Sequence, residues 1–349
     1  MEIKLELPGE KLVIKLWETL TDKGVGSLLT PWQAERLGKA NNIVRRNELL
    51  MLAQAEKDAE DIRAGRKRFE PDGLLRLLPS SSSSSSALVD SKGRIEPTIE
   101  IESLAQVANQ YNMAQEARKE INVSKAIIHA EEVLAQDPQT PPERPVEEDW
   151  LYSWREYAGR VSTDELQQLW GKILAGEVKS PGTYSFRTLE FLKGLSKDEA
   201  EHVSKLASFV IEGVILRNLK QHLDESGISF DLLLKMQELG LLSGLEAIGL
   251  TLTFKSTLPT QFLFGLRSNG KVLVVEHDDP TKVLILDVYP VTTIGKQLLG
   301  LGNFQPNLEY LRLVGKEFVK QGFTVNLADW VQLTESEGKY FNAEKIADE

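Results

Sequence analysis

"LQQLWGKILAGEVKSPGTYSFRTLEFLKGLSKDEAE", residues 166–201, decides the architecture of this chain. Leu166, Leu169, Trp170, Ile173 and Leu174 recur at helical spacing and make one apolar stripe. Phe186, Leu189, Leu192 and Leu195 make a second, facing one. Between them Ser180-Pro181-Gly182 breaks the helix, because proline cannot continue it and glycine frees the backbone to turn. Gly171, Ala175 and Gly176 allow close helix approach or chain exit. Two S-x-x-E pairs, Ser162 with Glu165 and Ser196 with Glu199, read as capping boxes, each opening an apolar-periodic run. Packing alone accounts for this pattern, and Trp170, Leu174, Phe186, Leu189 and Leu192 are its structural signature. The stretch is therefore read as buried scaffold and not as a reaction centre.

Working outward, residues 150–225 form a helical subdomain around this signature, preceded by a proline-rich linker, "DPQTPPERPVEED", at 137–149. Upstream, residues 31–136 predict a long helical hairpin. Thr30 caps a helix that opens at Pro31 and runs to about Phe69, with Leu37, Val44 and Met51 as a thin seam. A second helix covers Ile99 to Gln136, and each is on the order of 50 Å long at 1.5 Å per residue. The stretch 71–98 between them contains seven consecutive serines, Ser80–Ser86, which bury nothing to offset ordering, so a disordered loop is expected. Residues 1–30 form an N-terminal amphipathic segment with Val13, Leu16, Trp17 and Leu20 on one face.

Residues 226–349 change character. A helix closed by Gly240 precedes "LTLTFKST", "QFLFGL", "KVLVVEH" and "KVLILDVY", which are strand-like, and Asn269-Gly270 is a strong hairpin signal because both residues accept positive φ. A helix capped by Thr292 or Thr293 follows, then an amphipathic helix ending at Gly322, then "FTVNL" as a strand. Helix, small β-ribbon, helix predicts a winged-helix-like module. The fold class is mainly α with a smaller α/β part.

Composition narrows the function classes. The 349 residues carry 41 basic and 52 acidic side chains, a net charge of −11, so the overall field repels nucleic acid and anionic lipid unless cations gather locally. Cysteine is absent, which removes disulfides, thiolate nucleophiles and cysteine-ligated metals. Acids near the start oppose a secretory signal, and a cytoplasmic location is expected.

Candidate chemistry is sparse. His129, His202, His222 and His277 are the histidines. Glu199-x-x-His202 is half of a di-iron helix motif, but Glu199 is already committed to a cap. His277-Asp278-Asp279 has cation-binding oxygens, yet it lies between two strands where Asp and Pro make turns. Gly24-Val25-Gly26 lacks the rest of a dinucleotide fingerprint. No catalytic residue, cofactor or metal is assigned. Arg63, Arg66, Lys67 and Arg68 are the densest basic cluster, a candidate nucleic-acid contact that a helix C-terminus explains as well. Val13, Leu16, Trp17 and Leu20 are the candidate membrane or partner face.

The "LW..ILAGE" helix, the Pro-Gly break and "SFRTLEFLKGLSKDEA" resemble an uncharacterised bacterial family, domain of unknown function 2806, most strongly over Trp150–Val210. More distantly they are similar to the abortive-infection-alpha proteins. The resemblance carries no assigned catalytic residues. It implies a bacterial cytoplasmic protein with a place in phage defence. The expected function is a non-catalytic interaction protein acting through oligomerisation and partner binding. The alternatives are a DNA-binding winged-helix regulator and a membrane-acting effector using residues 12–32.

Overall fold

The computed structural model describes residues 9–22, 42–69, 75–77, 101–246, 250–332 and 338–347. The chain divides into two compact units, Met1–Leu189 and Glu190–Glu349.

Among the described residues of the first unit the helices are α1 (Glu10–Asp22), α2 (Asn42–Arg63), α3 (Ile101–Ala135), α4 (Glu148–Arg160) and α5 (Asp164–Lys179). Helix α6 (Phe186–Gly194) begins in it. Helix α3 is the hub, touching α1, α2, α4 and α5. Its residues Ile121, Asn122, Val123 and Ser124 are buried in succession, more than one apolar stripe provides, which is the mark of a helix surrounded by neighbours. Trp154 and Trp170 fill the layer beside it, and the Trp154 indole donates to the Trp170 carbonyl at 2.9 Å. Asn122 donates to the Gly159 carbonyl at 2.9 Å and accepts from Gln167 at 3.2 Å, so the buried amides satisfy one another.

Several expectations change here. Helix α2 stops at Arg63, not Phe69, because Gly65 adopts φ 69° and the chain closes in a Schellman turn, with Arg66 N–H on Asp61 O and Gly65 N–H on Ile62 O. Lys67–Phe69 then forms strand β1, antiparallel to β2 (Leu75–Leu77), so strand pairing enters the stretch assigned to a loop. Met51 is exposed while Leu52, Ala59 and Ile62 are buried, which turns the seam of α2 away from its expected line. Pro31–Asn41, with Leu37, and the serine run lie outside the described residues. The proline-rich 137–149 stretch lies inside the first unit: Asp137 pairs with Lys179 at 2.6 Å and Val146 is buried. The division between units falls within α6. Helix α5 starts one residue later than the Ser162 box requires; Thr163 is its N-cap and makes no side-chain capping bond.

The second unit holds α7 (Lys197–Ala207), β3 (Val214–Leu216), α8 (Lys220–Glu225), α9 (Phe230–Glu238) and β4 (Leu250–Phe254). It continues with β5 (Phe262–Ser268), β6 (Lys271–His277), β7 (Leu284–Pro290), α10 (Thr293–Leu299), α11 (Leu308–Lys320), β8 (Thr324–Gln332) and β9 (Gly338–Lys345). Strand β7 lies between β3 and β4, antiparallel to both, with Ile215 opposite Tyr289 and Leu252 opposite Leu286. The chain between β4 and β7 leaves this sheet as a hairpin, β5–β6, and founds a second antiparallel sheet ordered β5-β6-β8-β9. Asn269 and Gly270 turn the hairpin at φ 44° and 76°, as the sequence predicts. Helix α11 packs on β8 and β6, burying Tyr310, Leu311, Val314 and Phe318. The Ser196–Glu199 capping box, the Thr292 cap and the left-handed Gly240 and Gly322 all form.

Candidate functional site

Two tight turns meet in the second unit. Ile211 bridges Val214 across Glu212-Gly213, at φ 45° and 77°, and the β5–β6 turn faces it. A glutamate in the left-handed region is uncommon; such strain costs on the order of 1 kcal/mol and persists where surrounding contacts demand it. The contacts are specific. The Glu212 carboxylate accepts from Arg267 Nε at 3.0 Å, Nη2 at 2.6 Å and the Arg267 backbone N–H at 3.1 Å, while Glu212 N–H donates to the Arg267 carbonyl at 2.8 Å. Ser268 Oγ donates to Val210 O at 2.7 Å and Asn269 Nδ2 to Ala207 O at 2.9 Å. Burial pushes the Glu212 carboxyl up, but the Arg267 hydrogen bonds and charge prevail, and it is held below the usual carboxylate range.

Beside this clamp lies an open cleft of about 490 Å³, lined by Val210, Glu212, Gly213, Arg267, Lys296 and Leu299 among others. The Lys296 chain passes over Gly213, where an added Cβ would meet Lys296 Cε at 2.6 Å. Two cations against one carboxylate suit an anionic group. The Ser268 hydroxyl is buried and committed to a carbonyl, so it is not an activated nucleophile. Sequence reading missed Glu212 and Arg267. The available signal was "VIEGVIL", two apolar runs around a glutamate-glycine pair, the spacing of a two-residue hairpin turn.

In the signature stretch, Trp170, Leu174 and Leu189 are buried, Leu192 is half-buried, and Phe186 and Leu166 are exposed. Glu177, 2% exposed, accepts from Gly182 N–H at 2.5 Å and Tyr184 N–H at 3.0 Å. Burial pushes this carboxyl up; the backbone donors and Arg144 pull against it. Burial also pushes Tyr184 up to about 12. The Trp150 indole donates to the Tyr184 carbonyl at 2.7 Å. Glu177 thus latches the Ser-Pro-Gly turn, while Lys179 is paired with Asp137 instead of sharing a site with it.

The basic cluster is largely answered by acids on α2. Arg66 pairs with Asp61 at 2.8 Å, and Lys67 with Asp58 at 2.5 Å and Asp61 at 3.0 Å. Hydrogen bonds from Lys67 and Arg66 hold Asp61 low, and those to Asp58 and Asp61 hold Lys67 high. Only Arg63 stands in the last turn of a helix; Lys67 and Arg68 are in β1. Leu16, Trp17 and Leu20, read above as a membrane or partner face with Val13, are buried, and α1 packs on α3 and α5. His277 Nδ1 accepts from Asp279 N–H at 3.0 Å, and Asp279 caps Thr281, so this segment is a turn. Among the described residues no group of three or more histidine or acidic side chains is placed to hold a metal ion, and no helix is long and apolar enough to cross a membrane.

Residues 106–214 match the family described as Protein of unknown function (DUF2806), the family whose signature the sequence resembles. The match spans most of α3, α4 to α7 and the first residue of β3. No curated protein and no solved structure matches the chain, so the distant abortive-infection likeness has no match behind it.

Proposed function

We propose that this chain is a non-catalytic interaction protein whose second unit docks another protein through a winged-helix-like module. The observation that carries the proposal is an order of elements. Helix α7, strand β3, helices α8 and α9, and strands β4 and β7 follow one another, with the third strand of the sheet between the first and second. That order supports reading these elements, which begin at Lys197 and so upstream of the 226–349 module expected from sequence, as a winged helix with an enlarged wing and α9 as its recognition helix. The exposed residues of α9 are Phe230, Asp231, Lys235 and Glu238. Two acids against one lysine is the wrong sign for gripping phosphates. Phe230, with Lys220 Nζ 5.4 Å from its ring centroid, offers the aromatic anchor typical of protein interfaces.

The test has two arms on the full chain. A photoreactive phenylalanine analogue at Phe230 is expected to give a discrete protein adduct in cells, lost on Asp231→Lys. A mixed-sequence DNA duplex is expected to show no retardation in ~50 mM salt, where phosphate contacts are strong. Salt-dependent retardation abolished by Lys235→Glu, with no protein adduct, overturns docking in favour of the DNA-binding regulator.

A further inference from the structure

Helix α3 carries a seam that the described residues of its own unit fill only in part. Leu104, Val107, Tyr111, Ala114, Arg118, Ile121, Lys125 and Ile128 alternate by three and four residues, the spacing of a helix paired along its length. From Ala114 onward the seam is used. Ala114, Ile121 and Ile128 are buried, Leu52 of α2 packs with Ile121 and Ile128, and Lys125 pairs with Glu56 of α2 at 2.8 Å. Toward the N-terminus the same seam is open: Leu104 is 57% exposed, Val107 66% and Tyr111 50%.

We propose that residues 104–111 are a homodimer contact, in which this part of α3 from two copies of the chain lies antiparallel. Two observations favour a second copy as the occupant. The first is continuity, because the open part prolongs a seam that already pairs helix with helix. The second is charge. From Ser103 to Gln115 there is no charged residue, in a chain whose charged fraction is 27%. Two copies each carrying −11 repel one another over most of their surface, and a neutral strip is where they meet without like charges in apposition. A strongly charged partner would find no complement there. A two-fold axis between Val107 and Ala108 sets each Leu104 opposite the Tyr111 of the other copy and brings the two Val107 residues together, the self-complementary form of a closed dimer. Ala105 and Ala108, both exposed, keep the flanks of the strip small. The strip is about two turns long, below the roughly 800 Å² per partner of a standard interface, so the expected dissociation constant is weak, on the order of 10 µM. The inference uses the first unit alone and stands whether or not α9 docks a partner.

Sedimentation velocity of the full chain from ~1 to ~300 µM, bracketing that constant, tests it. The wild type is expected to pass from monomer to dimer, and Leu104→Glu/Tyr111→Glu to stay monomeric with unchanged helical circular dichroism, since both positions are exposed. The chain has no cysteine, so Val107→Cys supplies its sole thiol. Under mild oxidation it is expected to form an interchain disulfide, and Asn109→Cys, on the opposite side of α3, is not. A wild type monomeric throughout, a dimer that the double variant leaves intact, or equal cross-linking at 107 and 109 overturns the proposal.

Discussion

In the first unit Glu177 closes the turn after α5 by accepting two backbone N–H groups; in the second Glu212 closes the turn before β3 by accepting a guanidinium. The Glu177 carboxylate is buried, whereas that of Glu212 is half-buried at the edge of the cleft. The first has its principal donors in its own loop, five and seven residues ahead, with Arg144 acting only at longer range. The second has its donor 55 residues away, on another sheet. A carboxylate held mainly by neutral donors remains costly to ionise in a buried site, whereas one held by a fixed cation is easier to ionise than in water. One latch shapes a loop, and the other fastens two sheets.

The glycines beside these latches give the largest expected contrast. At Gly171 an added Cβ would lie 2.6 Å from His129 Cβ and 2.7 Å from the Ala126 carbonyl, so α3 and α5 must separate to admit it. At Gly213 the nearest atom is the flexible end of Lys296, and the penalty is chiefly its φ of 77°. Gly171→Ala is expected to cost about 3 kcal/mol, as overpacking against backbone does, and Gly213→Ala about 1 kcal/mol. Guanidinium unfolding read by hydrogen exchange in each unit checks both. Equal losses would mean that the helix crossing yields as readily as a side-chain tip.

Acid titration comes next in size and separates the latches by sign. The folded Glu177 carboxyl lies above its unfolded value, so the native state holds its proton more tightly, and stability falls as pH rises from about 4.3 through the folded pKa. The folded Glu212 carboxyl lies below its unfolded value, so its contribution is complete above about 4.3 and is lost as pH falls through the folded pKa. Glu177→Gln is expected to flatten the first unit's stability profile on the alkaline side of that point, and Glu212→Gln the second unit's on the acid side. Glu177→Ala, which orphans the buried Tyr184 N–H and frees the part-buried Gly182 N–H, is expected to cost about 2 kcal/mol at neutral pH. The same exchange measurement across pH checks all three, and two profiles of one sign would erase the contrast.

The local halves of these devices were legible in sequence and the distant halves were not. Asn269-Gly270, the Thr292 cap and the span of α3, read as 99–136 and found as Ile101–Ala135, depend on neighbouring residues alone. Strand β3 has three residues and takes its pairing from β7, more than 70 residues on, so "VIEGVIL" announces the turn before it but not the strand it pairs with. Strands β5 and β6 were visible as a hairpin, but their transfer to a second sheet is decided by β8. Lys67–Phe69 reads as the charged end of a helix until Gly65 is given positive φ. Arg267 looks like an ordinary strand-surface cation, and only the fold brings Glu212 under it.

The smallest expected effect concerns a device that is local throughout. Ser196 Oγ accepts from Glu199 N–H at 3.3 Å and Glu199 Oε2 accepts from Ser196 N–H at 2.8 Å, which satisfies two of the donors that the start of α7 would leave open. Ser196 is exposed and Glu199 half-buried, and hydrogen bonds from Ser196 hold Glu199 below the usual carboxylate range. Water replaces the lost hydroxyl at such a site, so Ser196→Ala is expected to cost about 1 kcal/mol, with the loss confined to the first turn of α7. Hydrogen exchange at Glu199 and Ala200 checks this, Glu199 for the cap itself and Ala200 because its N–H bonds back to the Ser196 carbonyl. Faster exchange spreading to β3 would mean that the cap helps to hold the sheet, and that the second unit is fastened by local contacts as well as by the Glu212–Arg267 clamp.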